Sequence, residues 1–319
     1  MDSINILCST DNDYVPYCGI MLTSLFENNK DCQIHVYLMT EELSTDNNSV
    51  LKRLALKYNQ DISIIIVDGE NLNNCPIRIG DHVSLATYYR LLAPILIPQN
   101  VDKILYLDCD IIVNGSIKEL HDIDITEYAL GAVMDEAYFK IEKYERLYYD
   151  KKFSYHNAGV LLMNLNYWRR NGITQKCLEY ISRYPERVKF HDQDTINAVL
   201  HKEIKLFPIK YNLQTGFLLT VFSKHFEKDM AKILEAAKEP VIIHYTGYSK
   251  PWHKGSKHPY TKRFLYYKSI SIWKDFPLTK NRTSIYNRFI QIRNEIIWFL
   301  GIKKKPKSYI IDKQPLQKH

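Results

Sequence analysis

No run in this chain approaches the ~18 apolar residues of a membrane-spanning helix, so a span of that kind is excluded. The glycine fingerprint G-x-G-x-x-G and the Walker A lysine are both missing, which disfavours a dinucleotide site or an ATP γ-phosphate cradle of the usual kind. No G-x-S-x-G nucleophile elbow supports a hydrolase. Cysteine is sparse: Cys8, Cys18, Cys32, Cys75, Cys109 and Cys177 form no C-x-x-C pair. They read as reduced core thiols of a cytosolic protein, not as a disulfide frame or a zinc site. The opening MDSINILCST carries an acid at its second position and no basic-then-apolar signal, so export is not expected.

What is present is ordinary for a globular chain of 319 residues, 45% hydrophobic and 25% charged. That length allows one large α/β domain plus a tail. The net charge of +7 hides an asymmetry, with +13 from Lys254 to His319 and −6 over the rest. The acidic body argues against nucleic acid as a partner. In the tail, Ile285, Phe289, Ile292, Ile296 and Phe299 recur at helical spacing beside Arg282, Arg288 and Arg293, ahead of Lys303–Lys307. Such a basic amphipathic helix either lies on an anionic membrane surface or packs on the domain with its basic face in water.

The chain is organised around VDKILYLDCDIIVNG, Val101 to Gly115. It reads as a buried parallel strand with Asp108 and Asp110 at the carboxyl end of its Lys103–Leu107 portion, where open α/β sheets bind ligands. Two acids one residue apart can meet at a point if the backbone bends between them, and oxygen ligands of that kind suit Mg²⁺ or Mn²⁺.

The flanking segments keep a βαβ rhythm: strands over 4–9, 33–39 and 61–67, helices over 14–28 and 45–58, and a short helix over 84–92 carrying Arg90. Arg90 can reach a phosphate or remain a solvated charge. Asp11 and Asp13 in the first turn can meet a ribose or base edge, or cap the helix. A strand over 128–134 ends at Asp135, a sugar-hydroxyl ligand or a turn residue. His156-Asn157-Ala158-Gly159 lead into a buried strand over 160–165. Asp192, Gln193 and Asp194 open an apolar helix over 195–200, as caps or facing a sugar. The last strand, 241–245, runs into His244, Gly247 and Lys250: a metal ligand or structural histidine, a flexible glycine and a phosphate counter-charge.

Taken together, S-T-D-N-D, TYYRLL, YLDCD, NAGVLLMNL, HDQD and HYTGYSKPWH, in order from Asn5 to Phe264, resemble glycosyltransferase family 8, which includes bacterial lipooligosaccharide galactosyl- and glucosyltransferases and, more distantly, glycogenin. The resemblance implies a GT-A fold, a single Rossmann-like nucleotide-sugar-binding domain with a mostly parallel sheet over 1–265 and a tail over 266–319. It implies a UDP-hexose donor, Mn²⁺ or Mg²⁺, and retention of anomeric configuration in transfer to a cell-surface glycan such as lipopolysaccharide. Asp108, Asp110 and His244 match its metal-holding positions. Ser9, Asp11 and Asp13 match the uridine turn, with Asp13 where relatives tend to carry Asn. Arg90 and Cys109 match the donor side, Gly247 and Lys250 the diphosphate, and Asp135, Asn157, Ala158, Asp192 and Gln193 the sugar.

Departure of UDP develops negative charge that a divalent ion and Lys250 would offset. Since Gln is a poor nucleophile, front-face transfer with Gln193 positioning is favoured over covalent catalysis by Asp192. The other reading is a catalytically idle nucleotide-sugar or glycan-binding module. The localisation expected is cytoplasmic, with peripheral contact on the inner membrane face through the tail.

Overall fold

The structure, a computed structural model, describes residues 3–73, 75–77, 84–280 and 308–314. Among the described residues ten strands form: β1 (Ile4–Ser9), β2 (Ile34–Thr40), β3 (Asp61–Ile66), β4 (Lys103–Leu107), β5 (Ile111–Val113), β6 (Leu130–Met134), β7 (His156–Asn164), β8 (Ile204–Leu206), β9 (Leu213–Gln214) and β10 (Ile242–His244). Seven make one sheet in the order β3-β2-β1-β4-β7-β6-β8, and a second sheet has the order β5-β10-β9. In the large sheet β1–β2, β2–β3, β1–β4 and β6–β8 pair parallel, while β7 runs antiparallel to both β4 and β6.

Side chains alternate across these strands and fill a core on each face. Ile6, Cys8, Leu105, Leu107, Val160 and Leu162 join one cluster, while Leu7, Ile104, Tyr106, Leu161 and Met163 join the other. Every residue of β7 is buried, as a central strand covered on both faces requires. All six cysteines are free thiols and only Cys32 is partly exposed, in keeping with their apolar surroundings in the sequence. Helix Val15–Glu27 carries Pro16 in its first turn, where no backbone hydrogen bond is lost. Gly19 on it faces Trp273, whose ring would lie 2.0 Å from an added Cβ.

Two expectations need correction. The strand expected over Lys103–Leu107 forms as β4, but it is not purely parallel, pairing antiparallel with β7, and after the acids the same stretch makes a second strand, β5, in the small sheet. The chain changes sheets across Asp108–Asp110. Asp108 N donates to Gly159 O at 2.9 Å, extending the β7 pairing, while Tyr245 N donates to Asp110 O at 3.0 Å beside β10. The helix expected from residue 195 starts at His191, entered through a left-handed His191 with φ 50°, so Asp192, Gln193 and Asp194 belong to its first turn.

The expected tail helix with its Lys303–Lys307 cluster lies outside the described residues. Helix Thr261–Ile270 runs through residue 265, where domain and tail were divided. Further on, Ile310 N bonds Leu218 O at 2.8 Å, and Tyr309, Ile310 and Ile311 pack on the larger core cluster. No helix among the described residues is long and apolar enough to cross a membrane.

Buried histidines give the fold a pH dependence. Burial pushes His258 from 6.5 down to about 3, and its Nδ1 accepts from Tyr260 N at 3.2 Å. The unfolded chain therefore binds a proton that the folded chain refuses. Stability should fall as pH drops from 6.5 toward 3, by up to about 1.4 kcal/mol per pH unit from this residue. Denaturant titrations at pH 4 to 7 should show a shallower decline for His258→Asn than for the parent.

Candidate active site

The break between the sheets brings three metal-ligating side chains to one point. One ligand atom each from Asp108, Asp110 and His244 lie within 4.8 Å of one another. His244 Nε2 is 3.1 Å from Asp110 Oδ1 and 3.7 Å from Asp108 Oδ2. Its Nδ1 lies 3.0 Å from Asn212 Oδ1, and since a carbonyl oxygen only accepts, a ring proton sits there; Nε2 can then donate to Asp110 when the ring is protonated, or give its lone pair to a cation held between the acids. Burial opposes protonation of His244, but Asp110 and then Asp108 outweigh it and raise its pKa. For Asp110, burial favours the neutral acid, yet Lys250 and His244 outweigh it and hold the carboxyl well below the usual range. Gly159 leaves the space open: a Cβ there would stand 2.3 Å from His244 Cε1 and 2.6 Å from Asp108 Oδ2. Two hard carboxylates and an imidazole fit Mn²⁺ or Mg²⁺.

Arg90 is buried, not a solvated surface charge. Its Nη2 donates to Asp108 Oδ1 at 3.0 Å, its Nη1 to Ala158 O, and its Nε lies 3.0 Å from Asp192 Oδ2. The guanidinium also lies 3.9 Å from the centre of the Tyr106 ring. Tyr106 OH donates to Asp108 Oδ1 at 2.8 Å, and Thr87 Oγ1 to Asp192 Oδ1 at 2.5 Å. Burial raises the Asp192 pKa against the opposing pull of Arg90.

The residues matched to the sugar side do converge. Gln193 Oε1 accepts from Ala158 N at 3.0 Å and Asn157 Nδ2 at 3.1 Å, while its Nε2 donates to Asp135 Oδ2 and Tyr155 OH, both at 3.1 Å. Asn157 Oδ1 accepts from Gly159 N and Asn212 Nδ2, both at 2.9 Å. The Asp108, Asp110 and His244 cluster and the group around Gln193 thus share one polar network through Asn212.

Elsewhere, Asp11 accepts from Tyr14 N at 2.9 Å in the turn ahead of the helix, whose N-cap Tyr14 makes no side-chain cap bond, and Asp13 is exposed. The Ser9 hydroxyl is buried with no partner among the described residues. Cys109 turns its thiol into the core, donating to Ser9 O at 3.2 Å, so only its backbone faces the site side. Lys250 Nζ lies 2.5 Å from Asp110 Oδ2 and 2.6 Å from Tyr245 O. Gly247 has φ +77°, the left-handed region that favours glycine.

Sequence reasoning missed Asn212 and Glu136. Glu136 Oε2 accepts from Gly216 N and Thr246 Oγ1, both at 2.6 Å, tying the loop after β6 to the loop after β10. Asn212 is fully buried between Tyr211 and Leu213, but with Lys210 and Gln214 also nearby in the sequence nothing in the local pattern singled it out.

The mixed sheet, with paired acids where the chain leaves it, has the GT-A fold of its solved neighbours. The sequence profile of Glycosyl transferase family 8 matches residues 5–256, and the chain belongs to that family. It is 30% identical to a lipopolysaccharide 1,2-glucosyltransferase of Escherichia coli over 283 residues, 88% of this chain and 82% of that one. It is 28% identical to general stress protein A of Bacillus subtilis over 274 residues, 85% of this chain and 94% of the other. Among solved structures it superposes with TM-score 0.73 and 25% identity on the galactosyltransferase LgtC in complex with donor and acceptor sugar analogues, covering 84% of this chain and 96% of that one.

Asn212→Leu removes the acceptor that orients His244 and should weaken Mn²⁺ binding about 10- to 100-fold. Isothermal titration of the metal in the presence of UDP measures this, with unchanged thermal stability in chelator as the control for folding.

Proposed function

We propose that the protein transfers galactose or glucose from a UDP-sugar to a hydroxyl of a cell-surface glycan, with retention of configuration and with a divalent ion. The observation that carries this reading is the cluster of Asp108, Asp110 and His244 with Lys250 against it, in a chain of this family. The relatives named as a lipopolysaccharide glucosyltransferase and as a galactosyltransferase support a hexose donor and a glycan acceptor.

In the transfer, the bond between the sugar C1 and the β-phosphate oxygen breaks, the acceptor oxygen bonds C1 on the same face, and the acceptor proton passes to the departing phosphate. A Mn²⁺ or Mg²⁺ ion held by Asp108, Asp110 and His244 would supply Lewis acidity and counter-charge to that leaving group. Lys250 adds a second positive charge there, and Gly247 lets the backbone come close. Asp192 is a poor nucleophile, because both its oxygens lie against Thr87 and Arg90 and burial disfavours its ionised form. Gln193 and Asp135 stand where a sugar-binding wall is needed, which favours front-face transfer. Ser9, Asp11 and Asp13 form the uridine turn.

The catalytic domain spans residues 1–265 and the basic segment 266–319 brings it to the inner face of the cell membrane, where a lipid-linked acceptor is presented. The +13 charge from Lys254 onward supports that contact.

UDP release from a panel of UDP-sugars, with a glycan acceptor extract, should occur with one hexose donor in Mn²⁺, stop in chelator and return with added metal. Asp110→Ala should lower kcat/KM at least about 100-fold. Binding of UDP-sugar without turnover under all acceptors would instead identify a binding module.

A further inference from the structure

Gln193 has every polar position of its amide in use, and the partners allow only one orientation. Ala158 N can only donate, so it selects Oε1; the Asp135 carboxylate accepts, so it selects Nε2. Tyr155 OH gives its proton to Asp194 Oδ1 at 2.7 Å, so toward Gln193 its oxygen can only accept. The orientation therefore depends on two buried carboxylates, Asp135 and Asp194. Each needs a cation close by, since an uncompensated buried charge is costly.

Both cations come from one helix, Ile141–Leu147. Lys143 Nζ is 3.1 Å from Asp135 Oδ1 and lies 3.8 Å from the centre of the Tyr155 ring and 4.4 Å from that of Phe190. Arg146 grips Asp194 with two bonds, Nη1 to Oδ2 at 2.7 Å and Nη2 to Oδ1 at 3.1 Å. Being three residues apart, the two cations share a face of the helix and reach the two carboxylates that converge on one amide. A pair of unrelated structural salt bridges would not need to meet at Gln193.

We propose that Lys143 and Arg146 are positioning residues for the transfer reaction, holding the Gln193 amide in one orientation through Asp135 and through Asp194 with Tyr155. The inference rests on the reading that Gln193 stands beside the transferred sugar.

The test compares Lys143→Met in the parent and in a Gln193→Ala background. In the parent it should lower kcat about tenfold, with UDP affinity in Mn²⁺ changed less than about twofold. In the Gln193→Ala background it should cause no further loss. An equal loss in both backgrounds, or none in either, would overturn the proposal. If Lys143→Met does not fold, Tyr155→Phe, which removes a single oxygen, is put through the same comparison with the same outcomes decisive. Should the parent turn over no UDP-sugar, the reading of function fails, and selective ¹⁵N-glutamine NMR decides the positioning by itself. Slowly exchanging, separately resolved Gln193 side-chain protons in the parent that become averaged in Lys143→Met support it, and identical signals in the two overturn it.

Discussion

Two carboxylates on residues one apart, Asp108 and Asp110, are forced toward one point because the chain changes sheets between them. Like charges about 4 Å apart near a protein surface repel by ~4 kcal/mol. A typical hydrogen bond contributes only about 1 kcal/mol net. Electrostatics therefore decides what may surround the pair. Arg90 stands behind Asp108, Lys250 and His244 stand against Asp110, and the two acids with His244 form a group that could hold a metal ion. The glycine at position 159 follows from the same crowding, since a Cβ there would strike His244 and Asp108, whereas Gly247 is required by its left-handed backbone and has open space around it.

Around this centre the polar groups form a continuous chain: His244 to Asn212, Asn212 to Asn157, Asn157 to Asp135 and Gln193. In a low-dielectric interior such a chain is stable only when every member is satisfied, so the orientation of one amide dictates the next. Metal geometry and sugar-side geometry are consequently linked through strand β7, whose buried first residues carry Asn157, Ala158 and Gly159. A side chain moved at one end should be felt at the other.

Membership of Glycosyl transferase family 8 at 26–30% identity to its characterised relatives fits this picture.

The sequence alone determined most strands of the large sheet and the last strand of the small one, the paired acids, the histidine at the end of that last strand, and the family. Those follow from local pattern, because period and residue type are carried by neighbours along the chain. It also pointed to Gln193, Asn157 and Asp135 as a group, through the resemblance. Tertiary structure alone decided that Val101–Gly115 is two strands in two sheets, that Arg90 is a buried bridge between Asp108 and Asp192, and that the Cys109 thiol faces the core. It alone disclosed Asn212, Glu136, Lys143 and Arg146 beside the site. Each of these depends on contacts between residues far apart in the chain, such as Arg146 with Asp194 and Glu136 with Thr246. A single sequence records which groups are available, while which of them meet is set by how the sheets and helices pack.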